Sequence, residues 1–215
     1  MDDPVESIHE LEANLRDIER ANRWLGGTAP VKSAIFSFGA KRVLDVGCGS
    51  GDIALALVEH AQDQCRELSV TCLDASEQML HIAQTRTANH PALSFIQGDG
   101  CSLPFEDDAF DVVMCNLALH HFDPQSAIAL LREMRRVARI SPLICDLRRS
   151  ALGFTGAWVL SRLTTTNRLT RHDAPLSVLR AYTPLEARQL AEQADWRSPQ
   201  VAQMPFYRMI VHDEV

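Results

Sequence analysis

The sequence predicts an α/β protein in which helices cover both faces of a mostly parallel, doubly wound β-sheet. Between residues 42 and 147, apolar runs of strand length alternate with helical patterns, and this alternation favours parallel strands joined by helices. A glycine-rich turn lies between the first of these strands and its helix. The 215 residues, of which 46% are hydrophobic and 23% charged, are enough for one domain, 1–215, with a sizeable core.

The segment before the sheet is predicted to form an N-terminal helical cap over residues 1–41. Apolar side chains recur near one face between residues 4 and 25, which indicates an amphipathic helix. The glycines of "LGGTAP", residues 25–30, are expected to end it, and a short helical segment is expected over 31–38.

Strands and helices then alternate through the central region, 42–147. Asp123 followed by Pro124 is typical of an N-cap and a first helical residue. The expected strands are 42–47, 69–75, 92–99, 110–119 and 142–147, and the expected helices are 52–61, 76–88 and 123–139.

The C-terminal part has a different composition. Residues 148–182 are rich in Leu, Arg and Thr and are expected to be helical. Residues 183–215 are expected to supply a closing helix over 183–194 and two further strands, with Thr183 and Glu186 in the positions of a capping box. Neither an internal repeat nor a dividing linker interrupts this order, so a single domain is expected.

Composition narrows the possible partners. The formal net charge of −7 disfavours nucleic acid as a partner. The six cysteines form no CxxC pair and no cluster with zinc spacing, so reduced core thiols in a cytoplasmic protein, and no metal site, are expected. The acidic start "MDDPVES" is unlike a signal peptide, and no apolar run approaches the roughly 20 residues of a membrane span.

The turn "VLDVGCGSGD" predicts a ligand site. Gly47, Gly49 and Gly51 follow a buried strand at its carboxyl end, where ligands bind in parallel sheets and where glycine permits close backbone approach. The spacing differs from the dinucleotide pattern GxGxxG, and Asp52 would repel a diphosphate. The alternative is S-adenosylmethionine, which has no phosphate and whose sulfonium cation and amino-acid tail would be favoured by Asp45.

Several motifs in order resemble those of the class I, Rossmann-like methyltransferases. "VLDVGCGSG" is similar to the first motif of that family, "CLDAS" to the second, and "IQGDGCSLPFEDDAFDVVMCNLALHHF" to the next blocks. The whole chain resembles bacterial small-molecule enzymes of the ubiquinone/menaquinone-biosynthesis-like group, with a type 11 methyltransferase domain. This resemblance implies a seven-stranded sheet with an antiparallel C-terminal strand, an N-terminal helix and a helical lid after strand 5, over 148–182.

The resemblance also implies which residues bind S-adenosylmethionine. Asp74, which ends the second strand, would accept hydrogen bonds from the ribose hydroxyls. Asp99 would face the adenine amino group, and Asn116 would lie near the methionine part. The expected cofactor-binding residues are Asp45, Gly47, Cys48, Gly49, Gly51, Asp74, Ala75, Met79, Asp99, Gly100, Cys101, Asn116 and Leu117.

Methyl transfer to a hydroxyl needs a base, and three histidines are candidates for this role. His121 and His120 follow the fourth strand on the ligand side of the sheet, and histidine has a suitable pKa. The alternative is that one packs against the next helix and the other is solvated. His172 could be oriented by Asp173, although Asp173 could instead cap a helix before Pro175.

A second set of residues could contact the methyl acceptor. Trp24 could close over the site or could belong to the core. Residues that follow the fifth strand could grip a polar acceptor, or could form a solvated turn. The expected substrate-binding residues are Trp24, Asp146, Arg148, Arg149 and Tyr182.

The predicted function is methyl transfer from S-adenosylmethionine to a small molecule, with S-adenosylhomocysteine as product. The acceptor atom would be a hydroxyl oxygen or a ring carbon of an aromatic, quinol or polyketide-type metabolite. The alternatives are a methyltransferase of RNA or protein, a non-catalytic protein that binds the cofactor, and a nicotinamide oxidoreductase. The sequence leaves the oligomeric state open between a monomer and a homodimer.

Overall fold

A seven-stranded mixed β-sheet forms the centre of the computed structural model, which describes residues 13–20, 27–88 and 90–213. The strand order is 3-2-1-4-5-7-6. The first six strands along the chain run in the same direction, and the seventh is antiparallel to both of its neighbours, the fifth and the sixth. The predicted sheet is therefore confirmed. The strands are β1 (Arg42–Val46), β2 (Ser69–Asp74), β3 (Leu93–Gln97), β4 (Phe110–Asn116), β5 (Ala138–Leu147), β6 (Gln200–Met204) and β7 (Arg208–His212).

Eight helices are present in the described residues. A short 3-10 turn, Leu119–His121, also follows β4. The helices are α1 (13–20), α2 (Thr28–Ser37), α3 (Asp52–Asp63), α4 (Glu77–Arg86), α5 (Pro124–Val137), α6 (Ala151–Thr164), α7 (Arg168–Arg180) and α8 (Pro184–Gln193).

Several helix starts follow the sequence signals. The Asp123 carboxylate accepts hydrogen bonds from the first turn of α5, as predicted from its position before Pro124. At α8, the Thr183 hydroxyl and the Glu186 carboxylate satisfy each other's backbone N–H groups, so the predicted capping box is confirmed.

Two expectations about boundaries were wrong. Helix α5 ends at Val137 and β5 begins at Ala138, four residues before the expected start, because Ala138 already pairs with Phe110 of the neighbouring strand β4. Asp173 does not cap a helix, since it lies inside α7, which Asn167 caps.

The core lies on both faces of the sheet. Strand β4 is central, and its side chains alternate between the faces: Val113 packs towards α5 and α8, and Val112 packs towards α2 and α3. Because β1, β2, β4 and β5 are parallel, their carboxyl ends lie at one edge, where the turns that follow them assemble the candidate site.

Parts of the N-terminal prediction lie outside the described residues. Of the helix expected over 4–25, residues 13–20 are described and are helical. Trp24 lies outside the described residues. No helix within 13–20, 27–88 and 90–213 has both the length and the apolar character that crossing a membrane requires.

Candidate functional site

The turn after β1 is shaped by Gly47, whose φ of +72° lies in the left-handed region that favours glycine. A Cβ at this position would approach the Cβ of Ala118 to 2.9 Å, so the turn after β1 lies directly against the turn after β4. The N–H groups of Gly47 and Cys48 both donate to the carbonyl of Leu73, at 2.8 and 3.1 Å, which ties the glycine turn to β2.

Asp74 connects the glycine turn with the start of α4. One carboxylate oxygen accepts a hydrogen bond from the Gly49 N–H at 2.9 Å, and the other accepts from the Ser76 N–H, also at 2.9 Å. The Ser76 hydroxyl in turn caps α4. A carboxylate can accept about four hydrogen bonds, so this half-buried group keeps the capacity to accept from a diol.

Asp45 is a buried acid on β1 beneath the glycine turn. Only 2% of the residue is exposed, and within the described residues its Oδ1 has no hydrogen-bond partner. Burial raises the pKa of Asp45 from its ordinary 3.8 to about 8, and the nearby charges of Asp52 and Asp74 add to this effect. A buried, electron-rich oxygen without a partner is the feature expected of an acid that receives a cationic ligand.

The end of β4 presents a second buried polar atom. Oδ1 of Asn116 is buried and has no hydrogen-bond partner in the part of the chain that the structure describes. The next residue, Leu117, adopts a left-handed φ of +53° while its N–H donates to the carbonyl of Cys145 at 2.9 Å. Such strain in a branched residue is found at sites where the backbone is held for function.

The turn after β3 holds the residues expected near an adenine. Asp99 is exposed, and its carboxylate accepts a hydrogen bond from the Cys101 N–H at 2.8 Å. Gly100 is buried so tightly that a Cβ there would lie 2.8 Å from Val46.

Three other residues of the expected cofactor set lie near the first two turns. Ala75 is exposed directly after Asp74, whereas Met79 is buried against Leu15 of α1. Cys48 is buried, and its contact with the Cys72 thiol, together with burial, raises the pKa of the Cys48 thiol.

His120 and Asp146 form a buried pair beside the carboxyl end of β5. Nδ1 of His120 lies 2.7 Å from Oδ1 of Asp146, and the His120 backbone N–H donates to Oδ2 at 3.0 Å. Burial alone would lower the pKa of His120, but the negative charge of Asp146 and its hydrogen bond to the ring together outweigh burial, and the net pKa is raised. Asp146 therefore holds the His120 ring in place.

His121 lies next to this pair but is exposed, whereas His120 is buried. The two imidazole rings are 4.3 Å apart between centroids and inclined by 36°. Although His121 is exposed, packing around its ring lowers its pKa, and the positive charge of His120 lowers it further. At neutral pH its ring is uncharged and able to accept a proton.

His172 occupies a different environment on helix α7. Its Nδ1 lies 3.0 Å from the Asp173 carboxylate, so the expected pair forms. The side chain is 75% exposed, unlike the buried His120–Asp146 pair.

The expected substrate-binding residues near the end of β5 are mostly engaged with the protein. The Asp146 carboxylate faces His120 rather than an open surface. Arg149 forms an ion pair with Glu186, and the Arg148 guanidinium stacks over the Tyr207 ring at 5.2 Å.

Tyr182 is buried, and its hydroxyl donates to the carbonyl of Phe122 at 2.7 Å. This bond fixes the loop between the histidines and α5.

The sequence did not point to Arg208, which lies beneath the site. This residue on β7 is only 4% exposed. Burial lowers the pKa of Arg208, while the charges of Cys145, Asp146 and Asp52 oppose this effect. A Cβ at Gly27 would lie 2.6 Å from its guanidinium. The one sequence signal was an arginine within the predicted final strand.

The fold and the arrangement of turns are similar to those of SAM-dependent methyltransferases. Residues 43–140 match the family model described as "Methyltransferase domain". The motifs of the chain are thus similar to those of the class I, Rossmann-like methyltransferases.

The core is also similar to curated demethylmenaquinone methyltransferases. It is 37% identical over 109 residues to a demethylmenaquinone methyltransferase of Staphylococcus aureus, a match that covers 51% of this chain and 43% of the relative. The chain therefore spans less than half the length of the curated relatives it matches.

Solved structures show the same fold at low identity. A SAM-dependent methyltransferase from Aquifex aeolicus superimposes with a TM-score of 0.69 at 18% identity, over 94% of this chain and 97% of that one. Magnesium protoporphyrin IX methyltransferase from Synechocystis PCC 6803, solved with bound SAH, gives a TM-score of 0.61 at 18% identity, over 100% and 90% of the two chains.

Proposed function

We propose that the protein transfers a methyl group from S-adenosylmethionine to a small aromatic, quinol or polyketide-type acceptor. The observation that carries this proposal is the unpartnered buried Oδ1 of Asp45 beneath a glycine turn that is tied to Asp74. A phosphate ligand would meet two carboxylates here, whereas a sulfonium and an ammonium are cations. The curated relatives named for a menaquinone precursor support a small acceptor.

The residues present fit this cofactor along its length. Asp45 and Asn116 offer buried oxygens to the cationic amino-acid part, and Asp74 keeps acceptor capacity for the ribose hydroxyls. Asp99 and the tightly packed Gly100 form the adenine end. When bound, the cofactor supplies a methyl group that is already activated on sulfur, and the protein supplies position and proton handling.

His121 is the base in this proposal. An acceptor hydroxyl that attacks the methyl carbon must lose its proton, and a neutral imidazole can take that proton at a ring nitrogen. The lowered pKa of His121 keeps it neutral at physiological pH. Burial is the main cause of this lowered pKa, and the charge that His120 carries when it is protonated adds to the effect.

The pocket for the acceptor is assigned to the segment after β5. The proposed division of the chain is an N-terminal cap (1–41), a cofactor-binding core (42–147), a lid and substrate segment (148–182) and a closing helix with strands (183–215). Helix α7 packs against the 3-10 turn that carries both histidines, and the charge of Arg180 affects the pKa of each. A cytoplasmic location is part of the proposal.

The first experiment is calorimetric titration with S-adenosylmethionine, S-adenosylhomocysteine and NADH. Binding of the first two, and weaker binding by Asp74→Ala, is expected. Deuterated-methyl S-adenosylmethionine is then incubated with a panel of phenols and quinols, and mass spectrometry detects the label on the acceptor. Cofactor binding without any labelled acceptor would favour the non-catalytic alternative, and binding of NADH alone would refute the proposal.

A further inference from the structure

Helix α6 carries an apolar stripe that faces away from the protein. Leu152, Val159 and Leu163 recur at i, i+7 and i+11, which places them on one face of the helix, and they are 72%, 41% and 80% exposed. Gly156 lies on the same line, and a Cβ there would meet nothing within 4 Å. In the described residues, no side chain covers this stripe.

The other side of α6 contacts the domain through its two buried residues, Gly153 and Ser161, which sets the orientation of the stripe. A Cβ at Gly153 would lie 2.9 Å from the ring of Tyr207, and Ser161 is 5% exposed. The helix therefore presents its apolar residues outward because its other face packs on the domain. Contiguous exposed apolar surface of this kind is rare in soluble monomers and marks an interaction site.

The chain around the stripe is basic in an otherwise acidic protein. Residues 148–180 contain six arginines and one acidic residue, Asp173, which gives a formal charge of +5. The rest of the chain holds 15 of the 21 basic and 27 of the 28 acidic residues, which gives −12. Between residues 151 and 171 there is no Asp or Glu.

The arginines border one end of the stripe. Arg162 stacks over the exposed ring of Trp158, 4.0 Å from the centroid. Arg171 of α7 donates to the carbonyls of Thr165 and Arg162, at 2.7 and 3.2 Å, which holds it against the end of α6. An acid is also near, because Asp17 accepts a hydrogen bond from Thr170 at 2.9 Å.

We propose that this face of α6 docks on an anionic lipid surface. The stripe Leu152–Val159–Leu163 enters the boundary between headgroups and acyl chains, while the arginines contact lipid phosphates. At 14 residues the helix is suited to lying in the plane of the interface. A symmetric contact between two copies would bring Arg162 and Arg171 of each copy near those of the other, which opposes that alternative. The inference rests on α6 and its arginines, independently of the methyltransferase activity.

The test is flotation of the full chain with vesicles of phosphatidylcholine alone or with phosphatidylglycerol added. Binding to the anionic vesicles is expected to be about tenfold stronger or more, and to weaken at high salt. Leu152→Gln and Leu163→Gln are each expected to weaken it about fivefold or more, because an exposed leucine no longer enters the apolar boundary. Arg162→Gln is expected to reduce the preference for phosphatidylglycerol.

The matched control is Leu185→Gln. Leu185 is 66% exposed and is the second residue of α8, as Leu152 is the second residue of α6, so both substitutions change the same helix position. The control is expected to bind vesicles like the original protein. An equal loss in the control, or no binding of the original protein to either vesicle, would overturn the proposal.

Two further readouts keep the outcomes separate. Sedimentation velocity of the original protein and of Leu152→Gln tests whether a second copy of the chain covers the stripe instead. If the original protein is a dimer that Leu152→Gln dissociates, and it does not bind vesicles, the stripe is a dimer contact and the proposal is overturned. Calorimetric titration with S-adenosylhomocysteine tests the other proposal. Vesicle binding without cofactor binding would refute the methyltransferase function alone.

Discussion

Replacing Asp45 by Asn tests whether the buried acid beneath the glycine turn destabilises the free protein. Burial, with the nearby charges of Asp52 and Asp74, raises the pKa of this acid from 3.8 to about 8 in the folded protein. Between these values the folded state holds a proton that the unfolded state has lost, so stability falls as pH rises from about 4 to about 8. At about 1.4 kcal/mol per pH unit, the loss over the whole range is about 6 kcal/mol.

Asparagine has a similar shape and does not titrate, so the variant escapes this loss. Relative to the original protein, its free energy of unfolding is expected to gain about 2 kcal/mol between pH 6 and pH 8. Urea unfolding of both proteins at several pH values measures this difference, in which the contributions of the histidines cancel. A difference that stays constant from pH 6 to pH 8 would refute the reasoning.

The same substitution is expected to weaken the cofactor. If the Asp45 carboxylate receives the cationic amino-acid part, the original protein must release its proton on binding. The affinity for S-adenosylhomocysteine then rises up to about tenfold per pH unit below pH 8, and calorimetry in buffers of different ionisation enthalpy detects about one released proton. Asp45→Asn should bind more weakly, with neither the pH dependence nor the proton release.

Three further predictions concern the turns and the histidines. Gly47→Ala is expected to destabilise the protein more than Gly49→Ala in urea unfolding. Both glycines have a positive φ, but only the Cβ added at Gly47 would meet another atom, the Cβ of Ala118 at 2.9 Å. Equal losses of stability would contradict the close packing of the two turns. Asp74→Ala is expected to weaken S-adenosylmethionine by about 1–3 kcal/mol in calorimetry, and an unchanged affinity would exclude its ribose role. His121→Ala is expected to slow methyl transfer about 10²–10⁴-fold with little change in cofactor affinity, and full activity would show that no base is needed there.

The order of strands and helices could be predicted because each element carries its own local pattern. Apolar runs mark β1 and β4, and the acid before Pro124 marks the start of α5. The boundary between α5 and β5 was misplaced because it depends on the pairing of Ala138 with Phe110 of β4, which lies far away in the sequence. The residues around the boundary do not indicate which distant residue of another strand they will pair with.

In the candidate site, too, local features could be predicted and contacts between distant residues could not. The motifs gave the residues of each turn, but not how the turns meet. The sequence suggested that Asp146 grips an acceptor because it ends a strand at the ligand edge. Only the register between β4 and β5, in which Asn116 pairs with Cys145, brings Asp146 beside the histidines that follow β4.

Two buried acids of the site differ in their hydrogen bonds, and this difference suits one to positioning a side chain and the other to binding a ligand. Asp146 gives both oxygens to the protein, to His120 and to the N–H of Leu147, so it can position a side chain but has little left for a ligand. Asp45 is as buried, yet leaves Oδ1 without a partner in the described residues. A buried acid without a partner is costly, and it can be kept if a cation completes it. In the proposed mechanism, the partnered acid therefore positions His120 beside the base His121, and the unpartnered acid recognises the cofactor.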